Sequence, residues 1–234
     1  MMSSIEEVFG LSRTVFWDVA DRLHELEILD MHEDEVVRVS DQVLGTYIFY
    51  LATFKEGVLD FGALLRHFFP KLRHRVIESI NPVLSAFDSE RIVDAIRPHI
   101  ERVWMELEEA GNEESLFHLI DVFWFTKRTD TLLWIRDRID ELEPEPVEIA
   151  DITFEKGSNA LPSPSILSIL RSFAFVEEDE VRIALELLFR YLAKRPAEVP
   201  IVLRMLIDDY GFRTDSHLRR FEVQQAVIDA LWSR

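Results

Sequence analysis

The 234-residue chain contains no cysteine. This excludes disulfides, thiolate metal sites and a cysteine nucleophile, and it fits a cytoplasmic protein. Glycine and proline are also scarce, with seven and nine residues. So few breakers predict long helices joined by short connections. No apolar run approaches the roughly 18 residues of a membrane helix, and "MMSSIEEVFG" lacks the basic and apolar blocks of a signal peptide. No membrane partner is expected. Positive charge is in deficit: 26 Lys and Arg face 44 Asp and Glu, for a net charge of −18. A surface of that sign repels phosphate backbones, so DNA is a poor partner.

What the chain does have is apolar residues at helical spacing. In "SERIVDAIRPHIERVWMELEEA", Ile92, Val93, Ile96, Ile100, Val103, Trp104 and Leu107 form one stripe. Ser89 or Asp88 is placed to cap its start, Gly111 to stop it, and Pro98 to kink or interrupt it. Similar patterns predict helices at about 11–29, 41–54, 59–68, 70–85, 113–125, 128–141, 163–175, 178–194, 197–210 and 215–233, with Pro82 placed to bend one of them. One stretch reads clearly as strand: "EVVRVS" is rich in valine, "EILDM" precedes it, and the gap at His32, Glu33 and Asp34 is hairpin-sized. "VEIADITF" (147–154) is a weaker strand candidate, followed by the turn-rich "EKGSNALPSPS".

The expected fold is mainly α: an N-terminal winged helix with a small β-hairpin, then an α-helical array of HEAT- or TPR-like pairs. The expected divisions are 1–58 for the winged helix, 59–141 for a helical arm, 142–162 for a linker and 163–234 for repeat-like hairpins. The segments 178–194 and 217–233 lie about 39 residues apart, a spacing that suits two-helix repeats. In the N-terminal module, Val15, Phe16, Val19, Leu23, Leu26 and Ile28 are expected on one packed side.

A winged helix suggests DNA binding. Residues 1–60, however, hold thirteen acids against four bases, and phosphate contacts need lysine and arginine. Packing against protein is the better expectation. The one basic cluster is "RHFFPKLRHR", with Arg66, Lys71, Arg73 and Arg75. Pairing with the acidic N-terminal module accounts for it; contact with nucleic acid or a neighbouring domain is the other reading. Phe68 and Phe69 fit a core better than a base-stacking platform. The seven histidines make no metal-binding pair, and His32 beside Glu33, Asp34 and Glu35 reads as a solvated turn, so no metal is expected. No nucleophile motif is present, and the chain reads as non-enzymatic.

"LHELEILDMHEDEVVRVSDQVLGTYIFYLATF" resembles the winged-helix region that follows the nucleotide-binding core of STAND-type P-loop NTPases, a class that includes NLR-like sensors and bacterial anti-phage sensors. "LLRHFFPKLRHRVIESINPVLSAFD" resembles the helical continuation of bacterial members, so the likeness covers roughly residues 5–110. It implies a regulatory region that couples an NTPase core to a sensor, with that core or another protein as partner. No G-x-x-x-x-G-K-[ST] occurs here, so no cofactor is expected in this chain. The resemblance therefore implies a segment downstream of the core, or a protein that lost it. In the family a Met-His-Asp motif senses nucleotide phosphates where the last wing strand enters the next helix. Met31-His32-Glu33 resembles its letters but lies at the hairpin. The positional match is Val39-Ser40-Asp41, which makes Ser40 and Asp41 the candidate nucleotide-sensing residues, with helix capping as their simpler role. The alternatives are a free-standing winged-helix transcription regulator and a helical scaffold.

Overall fold

A computed structural model describes residues 2–32, 36–146, 161, 164–176, 178–211 and 221–232. Those residues are mainly helical, with one two-stranded antiparallel sheet. The strand candidate at 147–154, the turn-rich segment behind it and most of the 142–162 linker lie outside the described residues. Contacts divide the chain into two compact units, 1–115 and 116–234.

The first unit opens with helices α1 (Met2–Phe9) and α2 (Arg13–Glu25). Ser12 starts α2 by accepting the Val15 amide at 3.4 Å. The helix ends in a Schellman turn: the Glu27 amide donates to the His24 carbonyl and the Ile28 amide to the Leu23 carbonyl, both at 2.9 Å. Strands β1 (Leu29–His32) and β2 (Val36–Val39) follow, with Leu29 opposite Val39 and His32 opposite Val36. Arg38 and Asp30, opposite each other, form a 3.0 Å ion pair.

Helix α3 (Gln42–Tyr50) runs into a π turn at Leu51–Lys55. The arm is built from α4 (Phe61–His67), α5 (Phe69–Ala86) and α6 (Ser89–Glu109). Asp88 caps α6 through the Arg91 amide, and Gly111 ends it at φ +63°. Proline has less effect than its position suggests, since α6 continues through Pro98 and α5 through Pro82. The break in α5 falls instead at Leu72 (φ −129°, ψ 34°), just after Pro70. The predicted α6 stripe is the core of this unit: Ile92, Ile96, Ile100, Val103 and Trp104 are buried against Phe61, Leu65, Val76, Ile80 and Val83. Phe69 is buried and Phe68 stacks on Phe9 at 5.9 Å, so both serve packing.

Helix α7 (Glu113–Phe123) crosses from one unit to the next along the chain. The second unit continues with α8 (Arg128–Glu141), α9 (Ile166–Ser172), α10 (Glu178–Lys194), α11 (Val199–Met205) and α12 (Phe221–Trp232). A π turn at Leu206–Tyr210 extends α11. Helix α10 is central and packs on α8, α9, α11 and α12. Its row Val181, Ala184, Leu185 and Leu188 is buried, as the i, i+3, i+4, i+7 spacing requires. Near the helix starts Arg128 meets Glu180 at 3.2 Å, and near their ends Asp140 meets Arg190 at 3.1 Å. Helices α8 and α10 therefore lie side by side and parallel.

Candidate functional site

Ser40 and Asp41 form the joint between the hairpin and α3. The Ser40 amide donates to the Ile28 carbonyl at 3.0 Å. Its hydroxyl lies 2.7 Å from the Glu27 carbonyl and 3.0 Å from that of Ile28. With one proton to give, the hydroxyl is best served by Glu27, because the Ile28 oxygen already holds the amide. Ser40 thus ties the end of β2 to the turn that closes α2. That turn holds Glu27 at φ +59°, the only non-glycine residue with positive φ among the described residues. Asp41 then caps α3, its carboxylate accepting the Leu44 amide at 2.8 Å. Of the two residues suited to capping, the aspartate is the cap and the serine the tie.

The basic cluster is divided among elements. Arg66, at the end of α4, is half-buried between Asp60 (3.8 Å) and Glu106 (3.7 Å). Lys71 is exposed before the Leu72 break, while Arg73 and Arg75 follow it. Arg75 pairs with Glu78 at 2.9 Å. The ion-pair partners of Arg66 and Arg75, at Asp60, Glu106 and Glu78, lie in the arm at 59–141 rather than in the module at 1–58. Around Arg66 the packing is close. Asp60 caps α4 through the Gly62 amide at 2.8 Å and lies 3.5 Å from His99 Nδ1. A β-carbon on Gly62 would sit 2.8 Å from that same nitrogen, so glycine is what lets α4 approach α6 here.

Helix α2 departs from its expected packing. It turns Phe16, Trp17, Ala20 and Leu23 inward. Val15, Val19 and Leu26, expected on the packed side, are 48%, 46% and 67% exposed. Sequence reasoning missed this surface because the valines and Leu26 share helical spacing with the true core residues. On a helix of 3.6 residues per turn the three fall in one row about 40° wide, with Asp18 and Glu25 along one flank and Asp21 beyond them. Arg22 falls between the row and that acidic flank, at a level between Val19 and Leu26. On α3, Val43 and Tyr47 are likewise exposed.

In the second unit a depression of about 330 Å³ is lined by Trp124, Arg171, Ser172, Phe175 and Asp209. Asp209, only 5% exposed, is gripped by Arg171 through contacts of 2.9 and 3.0 Å. The pair neutralises itself, and it joins α9 to the π turn after α11. Next to it, the Tyr210 hydroxyl donates to the Leu170 carbonyl. Burial, and then the Asp209 carboxylate, push the Tyr210 phenol well above its usual range.

No group of metal-ligating side chains occurs among the described residues, and no described helix is long and apolar enough to cross a membrane. Comparison with family models, curated proteins and solved structures gave no match.

Proposed function

We propose that this chain is a non-catalytic interaction and regulatory region that couples a STAND-type NTPase core to a sensor region, in the manner of anti-phage sensors. The observation that carries the interaction reading is the exposed row Val15, Val19 and Leu26 on α2, on a module whose first sixty residues hold thirteen acids against four bases. Apolar side chains left in water on an acidic helix favour contact with protein over nucleic acid. The link to an NTPase rests on the resemblance of residues 5–110. The order helix, helix, hairpin, helix supports reading that region as a winged helix. The parallel neighbours α8 and α10 support an array, since equivalent helices of stacked repeats run parallel.

In this reading Ser40 and Asp41 face the nucleotide-bearing neighbour. A phosphate accepts hydrogen bonds, and the one hydroxyl proton of Ser40 is held by Glu27. Nucleotide contact at Ser40 therefore requires release of the tie to α2, which would connect the nucleotide to the α2 turn. The test is the natural coding frame together with DNA binding. A G-x-x-x-x-G-K-[ST] encoded upstream in the same polypeptide, with no retention of duplex DNA at about 0.15 M salt, is the expected result. A stand-alone gene whose product binds duplex DNA would replace this reading with that of a winged-helix transcription regulator, the second reading that the element order favours.

A further inference from the structure

We infer that the exposed face of α2 takes a basic amphipathic helix of a partner protein. This rests on the reading of the N-terminal module as an interaction surface, and it specifies the partner's chemistry. The row Val15, Val19 and Leu26 spans three turns, about 16 Å at 1.5 Å per residue. A straight row of that length matches the apolar stripe of another helix. Asp18 and Glu25 lie two turns apart on the same flank, where lysines or arginines bordering such a stripe would fall. On this face the two carboxylates meet Arg22 alone, on a module that holds thirteen acids against four bases over residues 1–60. The charge balance turns away duplex DNA and anionic lipid, and it selects among helices for a basic one. The row borders the packed side of α2, where Phe16, Trp17, Ala20 and Leu23 lie, but its three side chains are exposed, so docking on them leaves that packing in place.

The full chain is titrated against labelled peptides by fluorescence anisotropy at about 0.15 M salt. The probes are a Leu/Lys amphipathic helix, the same residues scrambled, a Leu/Glu counterpart and duplex DNA. The Leu/Lys helix should bind at least about tenfold more tightly than the scrambled peptide. The double variant Val19→Asp, Leu26→Asp should weaken it by about tenfold or more. Those substitutions add negative charge, which strengthens unspecific attraction to a cation, so a loss reports the apolar row. Asp18→Lys with Glu25→Lys should reverse the order and favour the Leu/Glu helix. All four positions are exposed, and circular dichroism checks that each variant keeps its helices.

Equal binding of the Leu/Lys helix to the native chain and the double Asp variant overturns the inference, as does a charge swap without reversal. A dimer in sedimentation that the double Asp variant dissociates would put a second copy on the face and also overturn it. If the peptides fail and duplex DNA fails too, the occupant is wrong while the proposed function stands. Duplex DNA bound through α2 sinks both.

Discussion

Glu27 occupies the left-handed position that normally favours glycine. Helix α6 ends in the same turn with Gly111 there. For a residue with a β-carbon this conformation costs about 1–2 kcal/mol, partly offset by the larger chain entropy that glycine loses on folding. Glu27→Gly should therefore stabilise the first unit by about 0.5–1 kcal/mol, seen as a higher urea midpoint with unchanged slope. Gly62 is the opposite case. Gly62→Ala drives a methyl into His99 and should cost about 1–3 kcal/mol. His99→Ala in the same chain should recover part of that loss, which a double-mutant cycle in urea would measure. Neither position was legible in the sequence. Gly111 was, since it follows a long apolar stripe, whereas Glu27 carries no compositional mark of its φ, and the neighbour of Gly62 lies 37 residues away.

At the scale of elements, helices and the hairpin followed from period and breakers because those signals are local. Pairing did not. The α2 stripe shows why: Val15, Val19 and Leu26 satisfy the same spacing as Phe16, Ala20 and Leu23, and only the neighbouring elements decide which row is covered. Ser40 is similar, since its partners Glu27 and Ile28 are thirteen and twelve residues back across the hairpin. The contact between α9 and the π turn after α11 gives a pH prediction. Burial, then Asp209, raise the Tyr210 phenol in the folded chain, while an unfolded tyrosine ionises near about 10. A folded value above the unfolded one means full stability below about pH 10 and loss as pH rises beyond it. Tyr210→Phe leaves the Leu170 carbonyl without this donor and should cost about 1–3 kcal/mol at neutral pH. It should also flatten the decline that sets in above about pH 10 in urea titrations. The remaining slope reports Tyr191, which burial and then Glu198 also raise.

For the whole molecule, the division at residue 115 predicts unfolding that is not two-state. Trp104 is buried in the first unit and Trp134 is half-buried in the second. Chains that keep one or the other as sole tryptophan should report non-coincident urea transitions; superimposable curves would mean a single cooperative body. The charge excess and the mainly helical class were legible because composition carries them. The place of the division was not, because α7 runs through it without a break in its helical pattern.

The parallel pairing of α8 and α10 also sets an order in time. Two helices joined by a short turn meet as soon as both exist, as α4, α5 and α6 do. Parallel neighbours cannot, since the chain must first travel back. Arg128 and Glu180 are separated by 52 residues, and closing a loop of that length costs entropy before any contact repays it. On a ribosome the first unit has its hairpin and arm within reach while the partner of α8 is still unmade. The acidic and apolar side chains on the surface of α2 are thus made well before the partner of α8.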